Sequence, residues 1–322
     1  NIDWRHVFHE AGDLALHANF NLADYKAVIT NWDSDNLINT KYTGKEYGEI
    51  WGFETDRYFT PADFNADGTP ADGIADQSKL SDNEKFIFGP GDIKFVDQNG
   101  DGKIDWGEGT VEDHGDLVKI GNSTPRFQYS FRLGADWKGL DIDLFFQGVG
   151  KRDMWSPSAF VMPLMRGADA TLYAGQTDYI TQAEYEAAMA GTGTIRQDAD
   201  YPRLFSGNQG NVAGSSIMEY GSNNYVPQSK YLINMAYLRL KNLTVGYTLP
   251  QKWTRKATIE KVRIYASFNN LADLVNHTAK YGFDPEVSRG RGVKPNEIVS
   301  EAYYGRTEPL MRSYSFGLQI TL

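Results

Sequence analysis

The most regular hydrophobic pattern lies at the C-terminal end of the chain. From Arg312 to Leu322 it reads RSYSFGLQITL. Tyr314, Phe316, Leu318, Ile320 and Leu322 are apolar, and Ser313, Ser315, Gly317, Gln319 and Thr321 between them are small or polar. Such alternation predicts a strand with every apolar group on one face. Its length suits the roughly 9–11 residues that cross a bilayer at a tilt. The small residues opposite fit a wet lumen better than a sandwich core. Arg126–Trp137 repeats the pattern through Phe127, Tyr129, Phe131, Leu133 and Ala135, and Leu140–Phe146 through Leu140, Ile142, Leu144 and Phe146. Lys138-Gly139 between them is a tight hairpin signal. Lys261–Asn270 alternates through Val262, Ile264, Ala266 and Phe268, and the start of the chain through Leu14, Leu16, Ala18 and Phe20. Ala236–Leu249 alternates but changes phase near Asn242, which predicts a bulge. Tyr25–Thr30 and Glu49–Phe53 are weaker strand signals. Thr181-Gln182-Ala183-Glu184 is a capping box opening a short helix to about Met189.

The connections between these segments are lopsided. Lys138-Gly139 is a two-residue turn and Pro250–Glu260 is short, whereas about 85 residues follow Val149 and about 40 follow Asn270. Compact soluble domains rarely carry such loops. Outer-membrane barrels do, with short periplasmic turns and long external loops. Counting back from a final strand that ends in the periplasm, Lys261–Asn270 and Leu140–Val149 run outward. Ala236–Leu249 and Arg126–Trp137 run inward, and the non-strand sequence between the first strands and Arg126 lies outside. The expected fold class is therefore all-β, part of a large antiparallel transmembrane barrel with long external loops, over residues 1–322.

Composition narrows this only a little. Net charge is −10, with 42 acidic against 32 basic residues, which argues against nucleic acid as a partner. No apolar run approaches the roughly 18–20 residues of a spanning helix. The absence of cysteine removes disulfides, thiolate metal sites and cysteine nucleophiles. Nineteen Tyr, 17 Phe and 7 Trp beside 32 Gly suit strands, turns and aromatic girdles.

One motif points to a ligand. Asp97-Gln98-Asn99-Gly100-Asp101-Gly102-Lys103-Ile104-Asp105-Trp106-Gly107-Glu108 matches the twelve-residue calcium loop of EF-hands. Asp97, Asn99 and Asp101 would supply side-chain oxygens, Lys103 its carbonyl, Asp105 a direct or water-mediated contact and Glu108 a bidentate carboxylate, while Gly102 permits the sharp turn. With no flanking helix pair evident, such a site would stabilise structure rather than sense calcium; the competing reading is a solvated acidic turn. Asp63-Phe64-Asn65-Ala66-Asp67-Gly68 begins likewise but loses the spacing, which favours a plain turn. Enzyme motifs fail: His6-Val7-Phe8-His9-Glu10 fits neither zinc-protease pattern, Gly148–Lys151 lacks the first glycine of a phosphate loop, and no G-x-S-x-G occurs. The chain is expected not to be an enzyme. Loop aromatics Tyr173, Tyr179, Tyr201, Phe205, Tyr220 and Tyr225 could stack on sugars or simply pack their loops.

Several segments in order resemble the C-terminal half of SusC/RagA-like TonB-dependent transporters. They are Gly48–Asp56, Gly91–Asp97 running into the calcium-like loop, Ile120–Phe127, Leu144–Gly150, Tyr237–Tyr247 and the terminal strand. The resemblance implies a 22-stranded outer-membrane barrel closed by an N-terminal plug. That plug and the first strands would precede this stretch. It further implies a SusD-like surface lipoprotein lid, energy from the TonB complex, and oligosaccharide or peptide cargo. Arg166–Lys230 and Asn276–Arg306 would then contact cargo and lid. Leu322 departs from the Phe that usually ends such barrels. The alternative is a secreted, calcium-stabilised all-β carbohydrate-binding protein, with its apolar strand faces paired inside a sandwich.

Overall fold

A computed structural model of the chain describes residues 1–34, 36–80, 87–156, 158, 160–163, 172–204, 223–286 and 310–322. Seven long strands form one antiparallel sheet. They are β1 (Ile2–Phe8), β2 (Leu14–Ala23), β7 (Arg126–Trp137), β8 (Leu140–Lys151), β11 (Tyr237–Thr248), β12 (Lys261–Asn276) and β13 (Ser313–Thr321), side by side in that order. Six shorter strands occupy the long connections. They are β3 (Glu49–Phe53) with β6 (Leu117–Asn122), β4 (Thr55–Tyr58) with β5 (Ile93–Phe95), and β9 (Asp153–Met154) with β10 (Ile233–Asn234).

The period-2 pattern decides which face of the sheet is apolar. Ile320 stands opposite Val262, Leu318 opposite Ile264, and Phe316 opposite Ala266. Val245 meets Ile142 and Leu243 meets Leu144; Leu144 in turn meets Leu133. Leu133 meets Ala18, and Ala18 meets Trp4. One face is thus apolar across all seven strands, and it is bare: Phe316 is 83% exposed, Leu318 60% and Leu133 44%. Leaving such side chains in water would forgo about 1.5–3 kcal/mol each. A sandwich would pair these faces; here they stay open, as a lipid-facing wall requires. A twelve-residue strand such as β7 runs about 40 Å at ~3.3 Å per residue, and a tilt of about 45° brings its rise close to the ~30 Å hydrocarbon depth.

Every short connection lies at one end of this sheet. Residues 9–13, 138–139 and 249–260 join neighbouring strands there, and β13 finishes there, because Thr321 pairs with Lys261. The hairpin 138–139 needs both residues in left-handed backbone, and Lys138 (φ 48°) and Gly139 (φ 88°) supply it. A side chain on Gly139 would also meet the Thr248 carbonyl at 2.6 Å. The long connections 24–125, 152–236 and 277–312 all leave the opposite end.

Several expectations are met closely. The helix α1 spans Gln182–Met189 with Thr181 as cap and Glu184 closing the capping box. The phase change is a register shift between Leu240 and Asn242, shared by both neighbours of β11. Others need correction. Tyr25–Thr30 forms no strand, only an isolated bridge from Val28 to Glu46. Its partner segment is cut short by turns at Gly44 and Gly48, both with positive φ. Ile2–Phe8, whose polar His6 obscures the alternation, is a full strand pairing with β2. β12 continues past Asn270 to Asn276 through that residue's left-handed backbone (φ 49°).

The wall reading predicts a sharp asymmetry between adjacent residues of β13. In the full-length protein, Leu318→Arg should destabilise the barrel by about 2–4 kcal/mol, whereas Gln319→Arg, on the polar face, should be nearly neutral. Urea titration of the folded band on unheated gels checks this; equal effects would refute the assignment of faces.

Candidate functional site

The polar face of the wall carries paired charges rather than a packed core. His17 lies 3.5 Å from Asp143 and 3.9 Å from Asp136. Arg132 donates to Asp143 at 3.0 Å, and Arg263 to Asp141 at 2.9 Å. Asn242 donates to Ser267 and Asn269, each at 2.9 Å, and Asn269 donates to Ser313 at 3.0 Å. This is the lining of a hydrated interior. Towards the long-loop end, Arg239 is 5% exposed and its guanidinium gathers Asp273, Asp284 and Glu286, while Lys241 also reaches Glu286 at 2.9 Å. Asp284 and Glu286 belong to the connection after β12, so this network pins that loop to the wall. Removing one member of so buried a network typically costs 3–5 kcal/mol.

The first two long connections fold together into one body. Phe53, Phe59, Ile93, Phe95 and Ile104 from residues 24–125 share a core with Trp155, Ile180, Tyr201, Tyr225 and Tyr231 from residues 152–236. Phe283 joins it from the third connection. Polar side chains lock the parts across large sequence separations. Asn224 accepts from the Ile93 amide at 2.7 Å and donates to Asp92 at 2.8 Å; Gln228 accepts from Thr55 at 3.0 Å. Asp92 is wholly buried and also accepts from the Gly89 amide. Burial pushes its carboxyl up to about 6, against the opposing pull of Arg203 and its hydrogen bonds.

The sugar-stacking candidates divide accordingly. Tyr201 and Tyr225 are buried in the shared core, where burial pushes both phenols up, and Tyr201 stacks on Tyr231 at 5.7 Å. Tyr173 and Tyr179 pack against the core part-buried. Phe205 and Tyr220 lie outside the described residues, as does most of the expected Asn276–Arg306 contact region. His6 sits in β1 between Trp4 and Phe8 and holds no metal-ligand spacing with His9.

The calcium-like loop is exposed at its tip and anchored at its base. Asp97 accepts from the Gly100 and Gly102 amides, Asn99 from the Asp101 amide and Asp101 from the Lys103 amide, at 2.7–2.9 Å. Gly102 takes the left-handed backbone (φ 80°) expected of it. Asp105 accepts from the Gly107 amide. Ile104 is fully buried and its amide donates to the Asp76 carbonyl. Asp116, unremarkable in the sequence, is buried beneath the loop and accepts from the Gln98 and Asp105 amides at 2.8 and 2.9 Å. Burial, with Asp97 and Asp105 nearby, pushes its carboxyl up. Among the described residues no three His, Asp or Glu side chains are gathered closely enough to hold a metal ion. Calcium at this loop would thus need Asp105 or Glu108 to swing onto the Asp97–Asp101 turn. The second acidic stretch is a plain turn: Asp63 is committed to Arg57 and Thr60, which hold its carboxyl down at about 2 despite its burial.

A one-sided apolar sheet, polar paired charges behind it and folded connections at one end define the wall of an outer-membrane β-barrel. No protein-family model matches the chain. It is 25% identical over 281 residues to the TonB-dependent receptor P3 of Formosa agariphila, covering 86% of this chain and 22% of that protein. It is 26% identical over 222 residues to TonB-dependent receptor P39 of the same organism, covering 68% of this chain and 18% of that protein. In fold it is similar to the RagAB peptide transporter (TM-score 0.56, 18% identity) over 99% of this chain and 28% of the matched one. A "closed-closed" RagAB importer matches alike, with TM-score 0.55 over the same shares. The chain therefore resembles proteins named TonB-dependent receptors in sequence and the RagAB transporter in fold, and its sheet is part of an outer-membrane barrel wall. It spans about a fifth of the length of the curated relatives it matches.

The Asp92 carboxyl makes the external body sensitive to pH. Its folded value lies above the ordinary 3.8, so its stabilising contribution is complete below about 4 and lost as pH rises through about 6. Proteolytic protection of the external body in the full-length protein should fall between about pH 4 and pH 6, and Asp92→Asn should flatten that step. A step that survives the substitution would assign it elsewhere.

Proposed function

We propose that the protein containing this chain is a TonB-dependent importer of a bulky nutrient across the bacterial outer membrane. The carrying observation is the seven-stranded wall, bare and apolar on one face and lined with paired charges on the other. Support for TonB coupling comes from relatives named as TonB-dependent receptors. Support for peptide as cargo, over the oligosaccharide equally implied by the family resemblance, comes from the peptide transporter among its structural neighbours. The folded external connections offer the surface on which a SusD-like lipoprotein would sit. On this reading the work is conformational gating rather than bond chemistry. The wall holds shape, and the external body, pinned through Arg239, contacts cargo and lid.

The test is uptake by intact cells carrying or lacking the full-length gene. Labelled oligopeptide should accumulate only in cells with the receptor, and a protonophore or loss of TonB should abolish accumulation while surface binding remains. Uptake unaffected by both would refute energised import. Co-purification of a surface lipoprotein from detergent extracts tests the partner.

We further propose that the Asp97–Glu108 loop closes around a calcium ion through Asp97, Asn99, Asp101, the Lys103 carbonyl, Asp105 and Glu108. The ion would relieve the repulsion among Asp97, Asp105 and buried Asp116. Calcium should slow proteolysis at this loop, and Asp97→Asn with Asp101→Asn, which keep an oxygen to accept from the turn amides, should remove the effect with little change of protection in chelator. Identical cleavage with and without calcium would leave a solvated acidic turn.

A further inference from the structure

An unexplained recess among the described residues lies within the first two long connections, beside β3 and β9. It is a cavity of about 300 Å³, at the lower end of the range for small-ligand sites. Its walls are apolar and aromatic in the larger part, with Trp51, Trp106, Trp155 and Met154, and polar at Asn39, Thr40 and Ser123. Trp51 is held in orientation because its indole N–H donates to Glu49 at 3.2 Å.

The charges around it do not balance. Lys45 lines the cavity and is only 9% exposed, yet its ammonium donates just to the Ile38 carbonyl, at 2.6 Å, with the Tyr42 ring 5.4 Å away. The adjacent carboxylate, Glu49, is already taken by Lys119 at 2.7 Å, by the Tyr42 hydroxyl and by the Glu46 amide. Glu46 in turn pairs with Lys26 at 2.6 Å. Among the described residues no carboxylate stands within ion-pair distance of Lys45. Burial pulls its ammonium below the ordinary lysine value; the charge of Glu49 opposes this, and Lys119 adds to it. A second lysine, Lys41, also lines the cavity, its ammonium 4.7 Å over the Trp32 ring. Glu49 is thus shared between Lys119 and the buried Lys45, with no direct ion pair to the latter, and a ligand anion would give Lys45 a partner of its own.

We infer that this cavity is a binding site for a small apolar or aromatic group ending in a carboxylate, with Lys45 as its counter-ion and the tryptophans as its walls. A sugar acid carries the same anion and would find partners at Asn39, Thr40 and Ser123, but the larger apolar share of the wall favours the apolar carboxylate. The C-terminal residue of a short peptide has this chemistry. That assignment rests on the import reading, whereas binding of the carboxylate itself does not.

The experiment is calorimetric titration of the full-length receptor in detergent with N-acetyl-L-tryptophan, N-acetyl-L-tryptophanamide and glucuronate. The carboxylate should bind, and the amide should bind about tenfold or more weakly. Lys45→Met, which keeps the length of the side chain, should weaken the carboxylate by a similar factor and leave the amide unchanged. Equal affinity for carboxylate and amide on the unaltered protein would overturn the inference, as would no heat with either. Glucuronate binding as tightly as N-acetyl-L-tryptophan would overturn the apolar class. Carboxylate binding in a receptor that fails to transport peptide would sink the peptide cargo and leave this site standing.

Discussion

Lipid offers no hydrogen bonds, and most of this structure follows from that. A chain crossing the bilayer without helices must pair every backbone amide with a neighbouring strand and present only apolar side chains outward. Seven adjacent strands here do both. Their ladders are continuous apart from register shifts in β11 beside Arg239 and Asn242, and their outward residues are apolar with few exceptions, His6 among them. The side chains behind them are released from that demand, and ion pairs such as Arg132 with Asp143 and Arg263 with Asp141 occupy the space.

The two ends of the wall answer to different physics. At one end the chain needs only to reverse, and two residues in left-handed backbone suffice at Lys138-Gly139. At the other, the long connections leave the membrane and must bury their own apolar groups in water. They do so jointly, around Trp155, Phe53 and the buried tyrosines. The Arg239 network ties the third connection to the wall where lumen and exterior meet. Any movement of the external body relative to the barrel must break or carry these ion pairs.

The strands were legible in the sequence because each one's pattern is local. Tyr314 to Leu322 reads as a lipid-facing strand without reference to anything else in the chain, and so does Arg126–Trp137. The capping box at Thr181 is equally self-contained. Tyr25–Thr30 misled because its residues suit a strand, while the chain opposite turns at Gly44 and Gly48 and offers no length to pair with. The calcium-like loop shows the same division within twelve residues: its turn, Asp97 to Lys103, is set by neighbouring amides, whereas its anchor, Asp116, is identified only by what folds over it.

The sequence by itself therefore determined the class of protein, the faces of its strands and the end at which the long connections lie. Lipid enforces a period of two on every crossing segment, and that period survives in one dimension. Only the tertiary structure decided what those connections build. Asp92 beside Asn224, Asp284 beside Arg239, and Lys45 among three tryptophans bring together residues that no local period links. Water outside the membrane requires only that apolar groups be buried somewhere, and which ones meet is settled by packing in three dimensions.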